Sequence, residues 1–413
     1  MTTLVKPFAA LRPEAKNAAA VIAPPYDVVS RAEAQTLVAG QPNSFLRISR
    51  PEIELPEVVD IYSDEIYARG AENFKRLTTL GFLNRDSVPS YYVYRMRMGE
   101  HEQTGVALAA SVTAYNSNRI RKHERTRPDK ETDRVRNIKS LNAQTGPVLS
   151  VYRANASMKS ILDGVKQTTP VLDTNGQYNV KHTLWQIDDF NVIETISSIF
   201  NAMDAIYIAD GHHRSAAASR VAAERSVGNA GKTTTNADFF LTVVFPHDEM
   251  NILEYNRVVK DLNGLTTGQV LEHLSEHFQI DTNDTEVKPE RPGCFGMYID
   301  GNWYRLAIHT ELIPEHDPVG QLDVSLLQDR ILSPILNVGD PRLDPRVNFV
   351  GGIRGLKTLA NRVDSNEVAI AFSLYPTSME QLMAVADAQK LMPPKSTWFE
   401  PKLADGLLTH VLD

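Results

Sequence analysis

Five consecutive residues, Asp210-Gly211-His212-His213-Arg214, hold the densest chemistry in the sequence. They lie between an apolar run, Ala205 to Ala209, and an alanine-rich segment of helical pattern, Ser215 to Arg225. This pattern predicts a buried strand that delivers an acid, a glycine and three nitrogen-rich side chains to the start of a helix. Helix N-termini carry unpaired N–H groups and partial positive charge, and so bind phosphate. Gly211 lets the backbone approach a ligand closely. Arg214 can grip phosphate oxygens in bidentate fashion, and His212 and His213 can donate hydrogen bonds. Asp210 could hold Mg²⁺ or accept a proton from an attacking hydroxyl. The structural alternative is that Asp210 caps the helix while the histidines pack or face solvent. Zinc is disfavoured, because His212 and His213 are adjacent and diverge, with no further ligands clustered beside them.

A second constellation is Lys122-His123-Glu124-Arg125-Thr126, with Lys130, Glu131, Asp133 and Arg134 just beyond. A solvated charged helix face explains much of it. An acid flanked by a histidine and arginines also suits phosphoryl transfer. Glu124 would then be the base beside His123, with Arg125 and Thr126 on the phosphate. Third, the rigid turn Ala23-Pro24-Pro25-Tyr26-Asp27 either holds Tyr26 and Asp27 toward a substrate or is a packed proline corner. Fourth, in Met392-Pro393-Pro394-Lys395-Ser396-Thr397, Lys395 and Ser396 could reach a phosphate, or the segment is an arm docked on the core. Gly351-Gly352-Ile353-Arg354-Gly355 lacks Walker A spacing, and Gly231-Lys232-Thr233 follows a helix rather than a strand, so it reads as a polar loop.

The elements that must position these residues alternate between strand and helix. Helices are expected over 30–37, 58–77, 158–167, 191–203, 215–225, 258–262, 268–278, 323–336, 355–363 and 378–392. Strands are expected over 90–98, 103–115, 147–152, 205–209, 239–245, 347–350 and 368–375, with a hairpin around Asp300-Gly301. Residues 285–291 read as a candidate linker. The alternation gives a mixed α/β class. Two regions are expected, 1–248 carrying the first three constellations, the Asp210 box among them, and 249–413 ending in the Lys395 arm.

The 413 residues suit two or three domains, and 42% hydrophobic with 23% charged residues excludes a disordered chain. The formal net charge of −8 argues against nucleic acid and anionic membranes as partners. The single cysteine, Cys294, excludes an intrachain disulfide and a cysteine-rich zinc site, which points to a reducing cytoplasm. The opening residues lack the apolar core of a signal peptide, and no apolar run is long enough for a membrane span.

Four spaced motifs, Pro24-Pro25-Tyr26-Asp27, His123-Glu124-Arg125-Thr126, Asp210-Gly211-His212-His213-Arg214 and Met392 to Thr397, together resemble the family catalogued as domain of unknown function 1015. The Asp210 to Arg214 box alone is similar to the phosphate-contacting box of the ParB/sulfiredoxin superfamily, which includes free-serine kinases. That likeness implies a ParB/sulfiredoxin-like nucleotide-binding core with large N-terminal and C-terminal α/β additions. The expected activity is a phosphotransferase using Mg²⁺ and ATP or ADP on a small hydroxyl metabolite, free L-serine. The rivals are a phosphoserine phosphatase and a non-enzymatic nucleotide-binding regulator. The expected partners are the small-molecule substrate and the nucleotide, and a homodimer is compatible with this scheme.

Overall fold

The aromatic run that begins at Tyr91 builds the centre of the first sheet. Tyr91, Tyr92, Val93 and Tyr94 are all buried, because both faces of that strand are covered. The computed structural model describes residues 3–227 and 234–413, and Gly231-Lys232-Thr233 lies outside them. The chain divides into two units, Met1–Met250 with Pro401–Asp413, and Asn251–Glu400.

Among the described residues the first unit carries a nine-stranded mixed sheet. Its order is Ile120–Arg121, Ile206–Asp210, Val148–Tyr152, Phe239–Pro246, His101–Ser111, Tyr91–Met98, Val180–Ile187 and Leu172–Asn175, with Val5–Lys6 paired beside His101–Ser111. Ile206–Asp210 runs parallel to Ile120–Arg121 and antiparallel to Val148–Tyr152, which is itself parallel to Phe239–Pro246. Helix Pro128–Leu141 packs on helix His212–Val227 through Val135, Ile138, Ala217 and Val221, with Leu412 closing the same cluster. The last thirteen residues return to this unit. Asp405 bridges Ala23, Thr409 bridges Leu11, and His410–Val411 pairs with Ala143–Gln144.

The second unit is a six-stranded antiparallel sheet ordered Phe278–Asn283, Asn302–Ile308, Cys294–Ile299, Ile370–Ser373, Tyr255–Val259 and Val347–Gly351. Helix Leu356–Asp364 covers it through Leu359 and Val363. The predicted hairpin forms with Asp300 and Gly301 both at positive φ, 50° and 74°, the conformation a two-residue turn of matching twist requires. The fold is mixed α/β. Among the described residues no helix is long and apolar enough to cross a membrane.

Several elements differ from expectation. The helix expected over 58–77 runs Asp64–Thr79 behind Ser63. Val58 is fully solvated, and turns closed by Val59 N–H to Pro56 and Ser63 N–H to Asp60 occupy the preceding residues. The strand expected over 103–115 stops at Ser111, whose hydroxyl accepts the Ala114 N–H and caps a short helix, Val112–Asn116. Residues 258–262 hold no helix, because Tyr255–Val259 is a strand paired on both sides. In a short run Val258 and Val259 serve a doubly covered strand as well as a helix face. The candidate linker 285–291 is tied to the sheet, with Val287 buried and its carbonyl accepting the Ser373 hydroxyl at 2.7 Å. The helix expected over 323–336 is Asp323–Leu327 followed by a wider π-turn, Gln328–Leu332.

Candidate functional site

The buried strand Ile206–Asp210 ends at Asp210, and helix His212–Val227 begins two residues later. Gly211 joins them at φ +96°, a conformation that L side chains rarely adopt, and a Cβ there would lie 3.1 Å from Arg214 Nε. The glycine therefore permits both the turn and the return of Arg214 across it. Lys402 Nζ donates to Asp210 Oδ2 at 2.9 Å. Burial pushes the Asp210 carboxyl up, but the charges of Lys402 and Arg214 and the Lys402 hydrogen bond outweigh it and hold Asp210 well below the usual carboxylate range.

The three side chains after Gly211 take different partners, as successive residues on a helix must. His212 is buried and packs edge to face on His123, ring centroids 4.5 Å apart. Its Nδ1 lies 3.6 Å from Glu124 Oε2, and its Nε2 faces the His123 amide at 3.5 Å. His213 Nε2 accepts the Arg127 N–H at 3.0 Å. Arg214 turns inward and donates to the Pro147 carbonyl. Burial drives His212 well below its ordinary pKa, and neighbouring His123 adds to the effect. Burial likewise lowers His123 to about 4. Both imidazoles are therefore neutral at physiological pH.

The structure thus brings the upstream segment to the box. One ring nitrogen each of His123 and His212 and a carboxylate oxygen of Glu124 all lie within 4.8 Å of one another. His212 and His213 do diverge, but the further ligands absent from the local sequence come from ninety residues upstream, so the reason for setting a metal aside does not hold for His212. Arg125 is exposed, and the Thr126 hydroxyl is spent on Glu131 at 3.0 Å.

Below the box lies a small cavity of about 30 Å³ whose lining includes Tyr26, Arg134, Gly146, Arg214 and Asp405. Arg134 stacks its guanidinium 3.8 Å from the Tyr26 ring centroid and pairs with Asp133 at 2.7 Å. Burial pushes the Tyr26 hydroxyl up to about 12. Asp27 is exposed, yet its charge is the strongest of those that favour protonated Arg214. Asp405 is 2% exposed, and burial lifts it to about 7 against the pull of Arg214. Its Oδ1 has no hydrogen-bond partner. A Cβ on Gly146 would meet Asp405 Oδ1 at 3.2 Å and Arg214 Cδ at 3.3 Å, so a side chain there would intrude on this cluster. Lys402 and Asp405 were not singled out from sequence. The one signal for them was a lysine and an acid just before Gly406, in a stretch with no helical or strand period.

Lys395 and Ser396 belong to the second unit. Lys395 sits at φ +56° with its ammonium 5.6 Å from the Tyr255 ring centroid. Ser396 is buried and donates to the Pro393 carbonyl at 2.6 Å. Buried Arg257 donates to the carbonyls of Pro394 and Lys395, which clamps this arm in place.

The family described as protein of unknown function DUF1015 matches residues 5–325. The chain belongs to this family. No curated protein is significantly similar to it. Similar solved structures include a free serine kinase variant in complex with AMP, at 13% identity and TM-score 0.37, covering 71% of this chain and 86% of that one. A conserved hypothetical protein from Pyrococcus furiosus is 14% identical, at TM-score 0.34 over 73% and 93% of the two chains. SbnI from Staphylococcus aureus, C-terminally truncated, is 12% identical, at TM-score 0.37 over 73% and 86%. The DUF1015 match begins in the first unit and extends through Ser325 of the second.

Proposed function

We propose that this DUF1015 chain is a nucleotide-dependent phosphotransferase acting on a small hydroxyl metabolite, with free L-serine as the substrate. One observation carries the reading. Glu124 and the Asp210 box, far apart in sequence, meet with Glu124 Oε2 3.6 Å from His212 Nδ1, beside a glycine turn that opens a sixteen-residue helix. Phosphoryl transfer asks mainly for positioning and for neutralised charge. In this scheme the Gly211 amide, His213 and Arg214 hold phosphate oxygens, and Glu124, with an exposed side chain, takes the hydroxyl proton. Asp210 is ionised, as a Mg²⁺ ligand must be, and the Lys402 ammonium beside it can turn to a phosphate oxygen. Mg²⁺, when bound, neutralises the nucleotide's phosphates.

The guanidinium of Arg134 and the carboxyl of Asp405 offer what the two charged ends of an amino acid need. The cavity's volume takes one such end and not a nucleotide. The test is incubation with L-serine and Mg²⁺ plus ATP or ADP, with phosphoserine followed by phosphorus NMR. Phosphoserine should appear only with nucleotide, and Glu124→Gln should lower its rate on the order of a hundredfold or more. Phosphate released from phosphoserine alone would overturn the reading in favour of a phosphatase. Tight nucleotide binding without turnover would overturn it in favour of a regulator.

A further inference from the structure

We propose that His123, Glu124 and His212 form a binding site for a borderline-soft divalent transition metal, with Zn²⁺ as the reference ion. This goes beyond the phosphotransferase reading and does not rest on it. The three donors are two imidazoles and one carboxylate, within 4.8 Å of one another. Imidazole-rich sets suit zinc, iron, cobalt and nickel, whereas Mg²⁺ prefers oxygen ligands. Three protein ligands leave a position for water, as open zinc sites do. Donor atoms about 2.1 Å from a tetrahedral metal stand ~3.4 Å apart, and His212 Nδ1 and Glu124 Oε2 are already 3.6 Å apart, so the cluster, with all separations within 4.8 Å, contracts only modestly on binding. Glu124, the exposed member, is the one whose side chain must move.

The buried histidines carry the argument. His123 is 3% exposed and hydrogen-bonds the Ile208 carbonyl through its ring. Its Nδ1 is buried without any hydrogen-bond partner. A neutral imidazole anchored by one nitrogen on a backbone carbonyl, with the other lone pair bare, is the state a metal-ligating histidine adopts. Burying that lone pair unserved is costly, and a metal ion relieves the cost. His212 is equally buried and neutral, and its two nitrogens reach only the long 3.5 and 3.6 Å contacts. The surrounding charges are mixed. Asp210 favours a cation and Lys122 opposes one, while Glu124 is itself a ligand.

The experiment is a competition titration of the chelator-stripped full chain with Zn²⁺ against a chromophoric chelator, without nucleotide and with millimolar Mg²⁺ present. One equivalent of Zn²⁺ should bind. His123→Ala and Glu124→Ala should each weaken binding at least tenfold, while His316→Ala, at an exposed histidine of the second unit, should leave it unchanged. If His123→Ala does not fold, Glu124→Gln, altered only at an exposed side chain, decides alone. Absence of Zn²⁺ binding, displacement of Zn²⁺ by Mg²⁺, or full binding by the Glu124 variants would overturn the proposal. The titration reads metal binding without nucleotide, so its failure leaves the phosphotransferase reading standing, and absence of phosphoserine formation leaves the metal site standing.

Discussion

Replacing Asp405 by Asn should make the protein more stable, and more so as the pH rises. Asp405 is 2% exposed, and burial lifts its carboxyl from the ordinary 3.8 to about 7. A carboxyl raised in the fold stabilises relative to the unfolded chain only while it is protonated. That contribution is whole below pH 3.8 and is lost as pH climbs to about 7. Each pH unit across the interval costs about 1.4 kcal/mol, so ionised Asp405 takes about 4 kcal/mol from the fold at pH 8. About 3 kcal/mol of this accrues between pH 5 and pH 8. Asparagine is close in shape and never ionises, so the titrations of groups remote from Asp405 are common to both proteins and cancel in the comparison. The assay is a thermal or urea melt of wild type and Asp405→Asn at pH 5, 6, 7 and 8. The variant's advantage should widen by about 3 kcal/mol over that range and flatten above pH 7. A stability difference that stays constant with pH, or that favours wild type increasingly at alkaline pH, would refute the reasoning. It would mean that Arg214 holds Asp405 ionised throughout.

Asp210→Asn should show the opposite slope. The folded carboxyl is held low, so its contribution is present above the ordinary 3.8 and is lost as the pH falls below it; melts should show a deficit at pH 7 that narrows toward pH 3. The same variant should lose on the order of a hundredfold in phosphoserine formation if that activity is found. Gly211→Ala should cost roughly 1–2 kcal/mol in urea melts, because its φ of +96° strains any L side chain and the new Cβ would press on Arg214 Nε. A variant as stable as wild type would show that the turn relaxes freely.

The local signals were dependable where chain chemistry acts over a few residues. The buried strand, the glycine turn and the helix around Asp210 follow from an apolar run, one flexible residue and a string of helix formers. Ser30, inside the helix expected over 30–37, caps the helix Arg31–Val38 in a reciprocal box with Glu33. The π-turn at Gln328 and the strand at Val258 were not legible, since in short apolar stretches periodicity cannot separate the alternatives and the neighbours that settle them are remote.

The site divides in the same way. Residue type and spacing marked His123, Glu124 and the Asp210 to Arg214 box as chemical, because clustered acid, imidazole and guanidinium groups are unusual beside a buried strand. Which of them meet is a tertiary matter. The parallel pairing of Ile120–Arg121 with Ile206–Asp210 sets His123 against His212, and no local propensity encodes a partner ninety residues away. Lys402 and Asp405 reach the box because Asp405 pairs with Ala23 and Thr409 with Leu11. The pKa of Asp405 and the bare nitrogen of His123 then come from burial, which is a property of the packed chain rather than of any residue in it.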